Sequence, residues 1–210
     1  MSKTQPFDNY THQYEDWFEN NKYIYLSEVE AVRTLLPKTG AGVEIGVGSG
    51  KFAEPLGIRY GVEPSGEMRE LAMQRGIDAV DSIGEALPYE DKSFDFALIV
   101  TTICFLDDIV KAFREVHRIL KPEGSFIIGF IDKESPIGKM YQKHKEENVF
   151  YRIAEFFSTE EVIDYLNNNG FTDFEFAQTV FGKMGEINEQ EPVKEGYGEG
   201  SFVVVKAKKA

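Results

Sequence analysis

An apolar run broken only by Asp95 fills residues 94–100, the pattern of a strand buried on both faces of a parallel sheet. Shorter apolar runs of the same character stand at residues 42–47, 58–63, 77–80 and 125–131. Between them the period turns helical. After Gly50 a first crossover helix is cut short by Pro55 and Gly57. Ser65 then caps a helix carrying Met68, Leu71 and Ala72, and Gly76 stands where a left-handed residue would end it. Asp107 takes the N-cap position before a stripe of Val110, Phe113, Val116 and Leu120, which Pro122 and Gly124 stop. Near the start, residues 27–36 place Val29, Val32, Leu35 and Leu36 on one face ahead of Pro37. Ser158-Thr159-Glu160-Glu161 is a capping box for a helix that Gly170 closes. Residues 174–181 and 201–207 read as two last strands, a hairpin joined by a loop rich in Gly and Glu. Alternation of strand and helix predicts an α/β fold: a seven-stranded, mostly parallel sheet with a C-terminal antiparallel hairpin and helices on both faces.

At 210 residues the chain is expected to be one domain, 1–210. Its single cysteine, Cys104, cannot close an internal disulfide, which fits a reducing compartment. No apolar run is long enough to span a bilayer and the polar start is no signal peptide, so a cytoplasmic protein without membrane attachment is expected. A net charge of -13 would repel a nucleic-acid backbone, and the basic cluster at residues 206–209 is a short tail. Oligomeric state is not written in the sequence.

The candidate chemistry lies in the first two strands. Gly46, Gly48 and Gly50 form a turn at the end of the first, and a glycine turn lets the backbone come close to a ligand. Glu63 ends the second strand, at close to the interval of about 20 residues at which an acid meets a nucleotide ribose. The ligand's charge can be argued as well. The third glycine falls one residue early for a dinucleotide fingerprint, there is no G-K-[ST] phosphate loop, and Glu44 just before the turn would repel a pyrophosphate. A carboxylate there suits a cation, and S-adenosylmethionine carries a sulfonium and an ammonium.

Glu44-Ile45-Gly46-Val47-Gly48-Ser49-Gly50 resembles the first motif of the class I S-adenosylmethionine-dependent methyltransferases, and Gly61-Val62-Glu63-Pro64-Ser65-Gly66-Glu67-Met68 resembles the second, in the type 11-like branch that acts mostly on small molecules. Leu87-Pro88, Ser93-Phe94-Asp95, Phe113-Arg114-Glu115-Val116 and Arg118-Ile119-Leu120-Lys121-Pro122-Glu123-Gly124 continue the resemblance in the same order, over about residues 42–130. The resemblance implies a Rossmann-like fold, S-adenosylmethionine as cofactor and methyl transfer to a small-molecule acceptor. The cofactor-binding set it implies is Tyr14, Glu44, Gly46, Gly48, Gly50, Glu63, Pro64, Ser65, Ile83, Gly84, Glu85 and Thr101, with no metal. Ile83 stands where the family carries an acid for the adenine amino group, so either its backbone and apolar wall or nearby Asp81 takes that place. Thr101 is expected to line the methyl-transfer pocket with Phe105 near the acceptor.

Two segments keep two readings each. The aromatics of residues 7–18 either cover the sheet through Tyr10, Tyr14, Trp17 and Phe18 or, within an N-terminal cover of about residues 1–36, fold Tyr14 over the cofactor. Residues 132–157 are either a substrate lid or an amphipathic helix on the sheet edge. His117 reads as a surface residue and Cys104 as a packed one. Tyr14, His12 and His144 are the available bases, none supported by a motif, so no catalytic residue is assigned. A non-catalytic cofactor-binding protein and a nicotinamide oxidoreductase stand as the alternatives.

Overall fold

A computed structural model describes residues 3–210. The central strands are β1 (Gly42–Ile45), β2 (Tyr60–Val62), β3 (Asp78–Val80), β4 (Phe94–Val100) and β5 (Leu120–Ile131), followed by β6 (Phe171–Thr179), β7 (Lys194–Glu195) and β8 (Phe202–Lys209). They form one sheet in the order β3-β2-β1-β4-β5-β8-β6-β7, parallel from β3 to β5 and antiparallel beyond. The expected mostly parallel sheet with its C-terminal hairpin is therefore present. The two-residue β7, on the loop between β6 and β8, makes it eight strands instead of seven.

Alternation along β4 explains the layers. Phe96, Leu98 and Val100 enter one core with Val32 of α3 (Lys22–Leu35), while Ala97 and Ile99 enter another with Phe113 of α6 (Ile109–Ile119) and Leu166 of α8 (Thr159–Asn168). All five β4 residues from Phe96 to Val100 are buried, as a strand covered on both faces requires. The remaining helices are α1 (Gln5–Asn9), α2 (Thr11–Asn20), α4 (Ala53–Leu56), α5 (Gly66–Gln74) and α7 (Pro136–Lys143).

Local chemistry accounts for most boundaries. Pro55 and Gly57 confine α4 to four residues, and Gly57 takes φ 71° after it. Ser65 accepts from Met68 N to start α5, and the Ser158–Glu161 capping box starts α8. Some boundaries differ from expectation. The α6 cap is Asp108, whose carboxylate accepts from Lys111 N; Asp107 is exposed and pairs with Lys3. Leu120 leaves that helix to open β5. α3 begins at Lys22, a turn and more before residue 27. His117 is half-buried, its ring edge-on to Phe171 at 5.4 Å, where a surface position was expected. The loop after β6 is tied down by Glu191, which accepts from Phe181 N and Gly182 N, and whose own N–H donates to Ser27 Oγ.

β1 lies between β2 and β4, so the crossovers from it leave in opposite directions. The carboxyl ends of β1 and β4 meet at that switch point, where open α/β sheets hold their ligands.

Candidate active site

The glycine turn after β1 is left-handed at each of its glycines, with φ of 68°, 55° and 88° at Gly46, Gly48 and Gly50. Gly48 N donates to Glu63 Oε2 at 2.8 Å, and Ser65 N donates to Glu63 Oε1 at the same distance. Two backbone donors thus fix the acid at the end of β2 against the turn. Burial pushes its pKa up to about 7, against those hydrogen bonds. A carboxylate so held keeps lone pairs for ligand hydroxyls, which a ribose supplies in a vicinal pair.

A cleft opens over this turn. Tyr14, Gly46, Gly48, Glu63, Pro64, Ile83, Gly84, Glu85 and Thr101 line it, joined by Phe7, Met68, Phe105 and Leu106. Glu44, Gly50 and Ser65 are not part of its wall. Gly50 packs on Ile77 of the α5–β3 connection, and Ser65 caps α5 and donates to Asp8 Oδ1 at 2.5 Å. Glu44 is buried behind the turn, with one oxygen accepting from Ala53 N and Oε2 without any partner among the described residues. Its pKa is held well above the usual carboxylate range, first by burial and then by Glu63. Glu85 lines the cleft, but its Oε1 is engaged by the N–H groups of Asp107 and Asp108 at 2.7 and 3.1 Å, which anchors the loop entering α6. Asp81 is exposed, pairs with Arg69 and does not reach the cleft; Ile83 does.

α1 and α2 cover the turn. Glu15 accepts from Ser49 Oγ and from Arg75 at 2.6 Å, and Lys51 stands 3.3 Å from the same carboxylate. Tyr14 is thereby placed over the glycines: a Cβ on Gly48 would lie 3.2 Å from its hydroxyl. Burial, with Glu63 and Glu44 next, holds that phenol un-ionised, its pKa far above the ordinary tyrosine value. Tyr10, in contrast, is 43% exposed and takes no part in covering the sheet. His12 is exposed, and His144 is an exposed partner of Glu147, so neither reaches the cleft. Cys104 is half-buried with its pKa pushed up to about 12 by burial, a packed thiol.

Behind Tyr14 lies a second cavity of about 310 Å³. It is walled by Trp17, Phe18, Phe150, Tyr141 and Tyr151, and by Glu28 of α3. Phe7, Tyr14, Thr101 and Phe105 line both spaces. Thr101, at the exit of β4, is held at φ 50° with its N–H on Gly129 O, a conformation that a β-branched residue adopts only under constraint. Sequence reasoning missed Glu28 and read Trp17 only as cover for the sheet, whereas it walls the second cavity. The available signal was an acid on the buried α3 stripe of Ile24, Ala31 and Val32.

Residues 43–128 match the family model described as a methyltransferase domain, type 11. A crystal structure from Thermotoga maritima, described as an S-adenosylmethionine-dependent methyltransferase and possible histamine N-methyltransferase, is 51% identical, with TM-score 0.96 and coverage of 98% of this chain and 99% of that one. An uncharacterized protein of Methanocaldococcus jannaschii is 45% identical over 203 residues, 97% of this chain and 98% of its own length. Phosphoethanolamine N-methyltransferase 2 of Caenorhabditis elegans is 28% identical over 71% of this chain and 37% of that protein. The chain belongs to the class I S-adenosylmethionine-dependent methyltransferases, in their type 11-like group. Its cofactor is S-adenosylmethionine.

The residues present suit that cofactor: Glu63, held by Gly48 N and Ser65 N in the cleft wall, is placed to accept from ribose hydroxyls, while Glu44 lies buried behind the turn with one oxygen unpartnered.

Proposed function

We propose that this chain is a cytoplasmic enzyme that methylates a small-molecule acceptor by in-line displacement. The observation that carries this reading is the pair of spaces meeting at Phe7, Tyr14, Thr101 and Phe105, one over the glycine turn and one walled largely by aromatic side chains. Bound S-adenosylmethionine supplies a methyl group already activated on a sulfonium. The chain's contribution is then placement. Glu63 accepts from ribose hydroxyls; Ile83 and Gly84 flank the base; Gly46 and Gly48 offer close backbone; Tyr14 and Thr101 stand at the junction where the acceptor would approach. Orientation of this kind supplies about 7 to 11 kcal/mol.

The size and lining of the second cavity also argue for a small acceptor. The second cavity is walled largely by rings, and with a net charge of -13 the chain would repel a nucleic-acid strand. A non-catalytic binder would need no such second cavity. We assign residues 3–36 as a cover over the cofactor and residues 132–157 as a wall of the acceptor space, within one domain.

Titration calorimetry with S-adenosylmethionine, S-adenosylhomocysteine and NAD tests the cofactor site. The first two bind and NAD does not; Glu63→Ala weakens both by roughly ten- to a hundredfold, the worth of one or two hydrogen bonds to a charged acceptor. Unchanged affinity in that variant would remove Glu63 from the site. Methyl release onto a panel of small acceptors separates an enzyme from a binder.

A further inference from the structure

Glu28 lies on the sheet-facing stripe of α3 and is 3% exposed, yet no hydrogen bond from a described residue reaches its carboxyl. Among the described residues it is the one acid in the wall of the second cavity, which has no Lys, Arg or His. Rings share the cavity wall with it: Trp17, Phe18, Tyr141 and Tyr151. The Tyr141 hydroxyl donates to Met184 Sδ at 3.7 Å, and the Tyr141 and Tyr151 rings pack 4.5 Å apart, so neither phenol donates to Glu28.

We propose that this cavity takes a methyl acceptor bearing a protonated primary or secondary amine, with Glu28 as the group that receives its ammonium and then its proton. The inference rests on the methyltransferase reading above and names the substrate class for the same site. A desolvated carboxylate without a counter-ion is costly unless a cation joins it. Aromatic faces attract the same cation, and a neutral acceptor would offer the Glu28 carboxyl no charge partner and leave it protonated.

The chemistry balances. An N–H proton passes from the ammonium to the Glu28 carboxylate, which frees the nitrogen lone pair. That pair forms the new carbon–nitrogen bond while the carbon–sulfur bond breaks and leaves its electrons on sulfur. The product is again an ammonium, and Glu28 returns its proton to water. Burial pushes the Glu28 pKa up to about 8, within reach of a proton transfer near neutral pH. The titratable groups facing it are Tyr14 from α2, Tyr141 from α7 and Tyr151 beyond it, and burial holds all three un-ionised.

The test uses the protein saturated with S-adenosylhomocysteine, titrated with histamine, 1,4-diaminobutane, phenethylamine and its matched alcohol and acid, phenethyl alcohol and phenylacetate. At least one amine is expected to bind, and phenethylamine at least roughly twentyfold tighter than the alcohol. Glu28→Gln should bring amine and alcohol within about threefold of each other while S-adenosylhomocysteine affinity stays unchanged, which also shows the variant folded. Trp17→Leu keeps apolar bulk and should weaken the amine by roughly fivefold with less effect on the alcohol. The proposal is overturned if no amine binds, if alcohol and amine bind alike in the unaltered protein, or if Glu28→Gln keeps the preference. Failure of S-adenosylhomocysteine to bind would instead sink the cofactor reading.

Discussion

Gly46 combines a positive φ of 68° with a neighbour that leaves no room, since a Cβ there would lie 2.2 Å from Thr102 Cγ2. Thr102 is not free to leave, because its hydroxyl donates to Gly46 O and Val100 O, both at 3.1 Å. Gly46→Ala is therefore expected to cost about 2–4 kcal/mol in chemical denaturation, from left-handed strain and overpacking together. Adding Thr102→Ala should recover about half, because the clash with the methyl is relieved while the strain remains; full recovery would show that strain contributes nothing. The glycines were legible in the sequence because a left-handed turn is a local requirement. Thr102 was not, since its contact with Gly46 exists only once β4 lies beside β1. The same holds for Glu63, whose spacing from Glu44 gave its place but not the two backbone donors that hold it.

At the scale of elements, the cover formed by α1 and α2 is fastened by polar contacts as well as by ring packing. Glu15 joins α2 to Ser49 of the glycine turn and to Arg75 after α5, and Asp8 joins α1 to Ser65. The Glu15 carboxyl is held below the usual carboxylate range by Ser49, Arg75 and Lys51 despite its burial, so the clasp is intact at neutral pH and loosens on acidification. Glu15→Ala should speed amide exchange in residues 5–20 by roughly tenfold and leave β4 and β5 unaffected. Equal exchange in the variant would mean that the Phe18, Tyr25 and Phe52 ring cluster alone holds the cover. Strands and helices near the sheet's centre were readable because each carries its own period and caps, as Ser65 and Ser158 show. α3 was read only in its C-terminal half. Its first turn, Lys22-Tyr23-Ile24-Tyr25, carries little of the periodicity that follows, and Glu28 gains meaning only when Tyr141 and Tyr151 arrive from more than a hundred residues away.

For the whole molecule, buried acids set how stability and binding respond to pH. Glu28 and Glu63 have folded pKa values raised to about 8 and about 7, so their folded forms favour the proton. For such groups stability is fully present below the unfolded carboxylate range and is lost as pH rises toward the folded value. Glu15 has the opposite sign and gives its contribution above that range. Thermal stability of the ligand-free protein should accordingly be greatest near pH 5 to 6 and decline by on the order of 3 kcal/mol toward pH 8, a decline that Glu28→Gln reduces. The same linkage predicts a proton count. At pH 7 the Glu28 carboxyl is mostly protonated in the free protein, while an aliphatic amine in solution is mostly an ammonium. Once the two meet in the second cavity they share one charge pair, either carboxylate with ammonium or carboxylic acid with amine. Both arrangements hold one proton fewer than the separated partners, so nearly one proton must leave on binding. Calorimetry in buffers of different ionisation enthalpy, on protein saturated with S-adenosylhomocysteine, should show that release at pH 7 and its absence in Glu28→Gln. A release of the same size in the variant would assign the proton to another group, and no release in the unaltered protein would place the amine away from Glu28.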